Sequence, residues 1–74
     1  MREWFRLLRE KNNLSQQDVA NLMGKTRQYI NLIESGERQK DLDLSLVVKL
    51  AEILGVSINY IIEEEEKLKA NRTN

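Results

Sequence analysis

In the segment SQQDVANLMGKTRQYINLIESG, Ser15 to Gly36, two helical periods are separated by only Gly24 and Lys25. Thr26 stands where it caps the second helix, and Ser15 where it caps the first. Asp18, three residues after Ser15, completes a capping box, and Leu14 with Val19 forms a hydrophobic staple across it. A linker this short forbids a long antiparallel hairpin. It makes the two helices cross steeply, which is helix-turn-helix geometry. Val19, Ala20, Met23, Ile30 and Ile33 fill the crossing, with Ala20 small where the backbones come closest.

The rest of the chain is punctuated in the same way. There is no proline, and Gly24, Gly36 and Gly55 each follow an apolar, helix-like run, where a left-handed cap belongs. Strand-like alternation is missing, so the fold class is all-α with five helices. Helix one covers about Arg2 to Asn12, with Trp4, Phe5 and Leu8 inward and Asn13 ending it at positive φ. Helix two ends at Gly24, and helix three runs from Arg27 to Ser35. Helix four follows an Asp43 cap and ends at Leu54; LSLVVKLAEIL is apolar nearly all round, as a central buried helix requires. Ser57 caps helix five, with Ile58, Ile61, Ile62 and Leu68 spaced for one face. Glu63–Lys67 and Glu65–Lys69 stand at i,i+4. The domain is expected over 1–69, with 70–74 a frayed tail.

With 74 residues the chain holds one modest core. It contains no cysteine and no histidine, which removes thiolate and imidazole metal sites and histidine-based catalysis. No nucleophile–base–acid constellation exists, so neither an enzyme nor a cofactor is expected. No apolar run reaches membrane-spanning length and the opening MREWFRLLREK is charged throughout, so neither a membrane span nor a signal peptide is expected. The net charge is zero, but residues 1–40 carry eight Lys/Arg against five Asp/Glu, and residues 41–74 four against seven. A basic front and an acidic back suit a polyanion on one face only.

On a wheel of about 100° per residue, with Arg27 at zero, Ile30 and Ile33 lie near roughly 300° and 240°. Asn31, Gln28 and Leu32 then fall near roughly 40°, 100° and 140°, opposite the core. This outward face offers a guanidinium, two amides and an apolar tip. Such groups match the base edges of a major groove: Arg to guanine, Gln or Asn to adenine, an apolar contact to the thymine methyl. The same side chains also suit a plain solvated surface, and Leu32 an exposed leucine or a dimer contact.

The set Leu14-Ser15-Gln16, Val19-Ala20, Gly24, Ile30, Ile33-Glu34-x-Gly36 and Leu50-Ala51-x-x-Leu54-Gly55-Val56-Ser57 resembles the phage repressor and Cro type of helix-turn-helix transcription regulators, the XRE family. The likeness spans about Trp4 to Ile62 and implies a lambda-repressor-like DNA-binding domain. MREWFRLLREK and RQYI also resemble short repressors of phage-like and integrative elements of low-GC Gram-positive bacteria. The resemblance implies that Arg27, Gln28, Asn31 and Leu32 read bases. It implies that Gln16, Lys25, Thr26, Tyr29, Ser35, Arg38 and Lys40 meet the DNA backbone, Gln16 also bracing the recognition helix. Arg9 and Glu34 match a salt bridge between helices one and three. The loop from Glu37 to Leu42 departs from the family by its length and by lacking Asn-Pro-Ser.

The implied function is a sequence-specific, dimeric repressor on a near-palindromic double-stranded operator, cytoplasmic in a bacterium or phage-encoded. Val56, Ile58, Ile61 and Ile62 on and before helix five exceed the needs of one small core and are the expected homodimer surface. They also suit internal packing, and the EEEE run suits a solvated helix end. Two other readings share the fold: the DNA-binding antitoxin of a toxin–antitoxin pair, and a protein-interaction module.

Overall fold

The computed structural model describes residues 1–37 and 42–72, the last two as backbone only. Among these residues the structure is helical: α1 Glu3–Lys11, α2 Gln16–Met23, α3 Arg27–Ser35, α4 Leu44–Leu54 and α5 Ile58–Arg72. The helix boundaries follow from local codes. Ser15 Oγ accepts from the Asp18 N–H at 3.0 Å while the Asp18 carboxylate accepts from the Ser15 N–H at 2.8 Å, closing the capping box. Thr26 caps α3 through the Tyr29 N–H, Asp43 caps α4 through the Leu46 N–H, and Ser57 caps α5 through the Tyr60 N–H.

Three helix ends share one closing geometry. Asn13, Gly24 and Gly55 hold positive φ of 57°, 67° and 71°. In each case the next residue's N–H reaches back to close the helix: Leu14 to Arg9 O, Lys25 to Ala20 O, Val56 to Ala51 O. Leu14 and Val56 thereby drop onto the core as the apolar partner of the cap. At Gly24 a Cβ would meet nothing within 4 Å. The need for glycine there is conformational, and it sets the tight joint between α2 and α3.

The core is formed by Trp4, Phe5, Val19, Ala20, Ile30, Ile33, Leu46, Val47, Leu50, Ala51, Leu54 and Ile61. α2 packs most closely on α3, and α4 supports both α2 and α5. Met23 and Leu8, expected inside, are half-buried against this core. Each fully buried large aliphatic side chain contributes about 1.5–3 kcal/mol, so losing one matters in a domain this small. No single helix among the described residues is long and apolar enough to cross a membrane.

α5 corrects part of the sequence reading. Ile61 is completely buried, and Val56 packs against the core. Neither projects outward; α5 exposes only Ile58 and Ile62 from the expected apolar surface. The acidic run is not simply solvated, because Glu65 turns inward to Arg2. Lys67 bonds Glu64 at 2.9 Å, one residue off the expected Glu63 register. The buried guanidinium of Arg2 takes Glu65, and Lys67 pairs at i,i+3 with Glu64.

Two outcomes follow. Gly24→Ala is expected to lower folding stability by about 1–2 kcal/mol, the cost of left-handed backbone for an L-residue, read from urea denaturation. The pH dependence follows from the caps. The Ser15 backbone N–H and then its hydroxyl hold the Asp18 carboxyl below the usual range. The Leu46 N–H and the Ser45 hydroxyl do the same to Asp43. A depressed folded pKa stabilises above the ordinary aspartate value, roughly pH 4, and that gain disappears as pH falls through the folded value. Stability should therefore drop below roughly pH 4, and Asp18→Asn/Asp43→Asn should flatten that acid limb in urea midpoints taken against pH.

Candidate nucleic-acid interface

α3 is amphipathic at helical period, and its buried side anchors it. Ile30 and Ile33 are fully buried. Beside them lies a third buried residue, Glu34, only 4% exposed. A carboxylate so deep needs compensation, since an unpaired buried charge is strongly destabilising. Arg9 of α1 supplies it with a forked contact, Nε to Oε1 at 2.9 Å and a terminal nitrogen to Oε2 at 3.3 Å. Gln16, first residue of α2, donates its amide to Oε2 at 3.0 Å. The remaining arm of Arg9 donates to the Leu14 carbonyl at 2.9 Å, just ahead of the α2 cap. One carboxylate on α3 thus ties together α1, the entry to α2 and α3. Among the described residues no buried side-chain nitrogen or oxygen lacks a hydrogen-bond partner.

The opposite side of α3 faces out. Arg27, Gln28 and Asn31 are exposed, and Leu32 is half-buried at the edge. Lys25 and Thr26 are exposed at the turn. The Lys25 ammonium lies 5.3 Å from the centre of the half-buried Tyr29 ring, a cation–π distance that draws the cation to the N-terminal end of α3. Ser35 is half-buried and committed locally, its hydroxyl donating to the Leu32 carbonyl at 3.0 Å. Gln16 is half-buried between the surface and Glu34. Arg38 and Lys40, expected at the backbone, lie outside the described residues.

The structure therefore gathers Gln16, Lys25, Thr26, Arg27, Gln28, Tyr29, Asn31 and Leu32 along the α2–α3 unit. Two features were not found from sequence. A groove of about 420 Å³ runs beside Lys25 and Tyr29 and is walled on the α4 side by Asp43, Ser45 and Lys49. The sequence reading gave Ser45 and Lys49 no role, and the packing of α4 brings them to the same groove as Tyr29. The second is Arg2, fully buried although it lies in a charged opening segment. No group of three or more potential metal ligands occurs among the described residues.

A short α2–α3 joint, a carboxylate-anchored second helix and a polar outward face define a helix-turn-helix protein. The helix-turn-helix family model matches residues 5–61, and the chain belongs to this family, the XRE-type DNA-binding transcriptional regulators. The chain is similar to an uncharacterized HTH-type transcriptional regulator of Methanocaldococcus jannaschii, 37% identical over 68 residues, covering 89% of this chain and all of that one. No solved structure matches the chain.

Because the side chains of Arg9 and Glu34 are only 13% and 5% exposed, removing one strands the other. Glu34→Gln is expected to cost about 3–5 kcal/mol of folding stability, read by urea denaturation. A loss below about 1 kcal/mol, the range of a surface pair, would mean that the bridge does not anchor α3.

Proposed function

We propose that the chain is a sequence-specific, double-stranded-DNA-binding regulator that acts in the cytoplasm as a dimeric repressor on a near-palindromic operator. The supporting observation is the outward presentation of Arg27, Gln28 and Asn31 on a helix whose other side is anchored through Glu34. In this reading α3 enters the major groove. Arg27, Gln28, Asn31 and Leu32 meet base edges, the guanidinium and amides by hydrogen bonds and Leu32 by apolar contact. Lys25, Thr26, Tyr29 and Ser35 line the backbone side, with Arg38 and Lys40 assigned there by family resemblance alone. Gln16 has two amide hydrogens; one goes to Glu34 and the other is suited to a phosphate oxygen. The first-turn N–H groups of α2 add donors and the positive end of the helix dipole.

Repression follows by occupancy: a protein seated on a promoter keeps polymerase off. One such unit reads a short half-site, and two copies one DNA turn apart, roughly 34 Å, double the specificity. The exposed Ile58 and Ile62 of α5 are the apolar residues offered to a second copy.

Selection of bound sequences from random duplex DNA tests this reading. A two-fold symmetric consensus is expected. On that consensus, Arg27→Ala should lose about 1–3 kcal/mol and relax one base position. Lys25→Ala should weaken selected and random duplexes alike and shallow the slope of log affinity against log salt by about 1. Affinity indifferent to salt would refute DNA binding and favour a protein-interaction module, whose apolar interface has no counterions to release.

A further inference from the structure

Arg2 is a fully buried arginine that the DNA-reading scheme leaves without a role. Its guanidinium donates to the Ile33 carbonyl at 2.6 Å. Its backbone N–H donates to the Glu34 carbonyl at 2.7 Å. Both acceptors are in the last turn of α3, where carbonyls lack the i+4 amide of the helix interior; the Ile33 carbonyl also accepts from the capping Gly36 N–H. A cation there also complements the negative end of the helix dipole. Met1 lies across the same end: a Cβ at Gly36 would sit 3.7 Å from the Met1 nitrogen.

The other arm of Arg2 goes to α5. Nε donates to both carboxylate oxygens of Glu65, at 3.2 and 3.1 Å, and the Trp4 indole N–H joins the same carboxylate at 2.9 Å. Glu65 is 12% exposed and lines a groove of about 180 Å³ between α4 and α5. Ile62, one turn earlier, lines that groove and is exposed. One guanidinium therefore spans from the surface of α5 to the C-terminal turn of the reading helix.

We propose that Arg2 is a positioning residue for DNA recognition, a latch through which the seat of α5 fixes the pose of α3. It touches no DNA. It holds the C-terminal end of α3 as the Arg9–Glu34–Gln16 bridge holds its buried side, and displacement of Glu65 is felt at the Ile33 and Glu34 carbonyls. The latch rests on the proposed function only for what α3 reads.

Arg2→Met alone strands the Glu65 carboxylate and destabilises the fold, so the informative variant is Arg2→Met/Glu65→Gln. It removes both charges of the pair together and leaves an amide oxygen to accept from the Trp4 indole N–H, so that no buried donor or charge is stranded. The Gly36 N–H, which shares the Ile33 carbonyl with Arg2, is the local reporter. In the double variant, native-state exchange of the Ser35 and Gly36 amides should rise roughly tenfold, a typical coupling between sites, while Leu50 in α4 stays protected as in the parent. The affinity ratio for the selected duplex over a random duplex should fall by a similar factor. Unchanged exchange at α3, or faster exchange with an unchanged ratio, overturns the latch. A parent protein that selects no duplex sinks the proposed function instead, and the exchange result still decides whether Arg2 fixes α3.

Discussion

The carboxylate of Glu34 is the constraint on which the rest of the structure turns. A charge buried at that depth is tolerated only with partners in good geometry, and the fold supplies two from different helices, Arg9 and Gln16. Apolar contacts through Ile30 and Ile33 would hold α3 against the core but leave its rotation loosely set, because hydrophobic burial has no direction. The hydrogen bonds of a carboxylate do have direction. They fix which side of α3 points inward, and hence that Arg27, Gln28 and Asn31 point outward.

The same logic runs through the local chemistry. The Arg9 fork also binds the Leu14 carbonyl, so the bridge reaches the segment that begins α2. Leu14 is in turn the apolar closing residue of the α1 cap at Asn13. Capping, core and ion pair are three uses of a few neighbouring residues. A small domain with little interior gains from such sharing, since it cannot stabilise α2 and α3 by bulk burial alone.

Much of this was legible in the sequence because its codes are short-range. Ser15 with Asp18, Thr26, Asp43 and Ser57 announce helix starts through bonds to residues three positions on. Gly24, Gly55 and Asn13 announce helix ends through a backbone angle. The boundaries of α3 follow directly from Thr26 and Gly36. What the sequence did not disclose depends on distant segments meeting. Arg2 and Glu65 are 63 positions apart, and an arginine in a charged opening segment gives no local sign of burial. Ile61 and Ile62 are adjacent and chemically alike. They stand about 100° apart around the helix, and only the packing of α5 on the core makes the first buried and the second exposed. The pairing of Lys67 with Glu64 was hidden because four successive glutamates offer Lys67 partners at both i−3 and i−4.

In the proposed function α3 is the part that meets a duplex, its outward Arg27, Gln28 and Asn31 turned toward it. The most direct measurement is backbone amide shift mapping by NMR as a random-sequence duplex is added at low salt. The expected result is a set of perturbed amides at Gln16 and from Lys25 to Leu32, with the exposed face of α5 around Ile58 and Ile62 unchanged. Perturbations confined to α5 or α1, with the Arg27–Asn31 face silent, would contradict the claim that the Glu34 anchor exists to present that face to DNA.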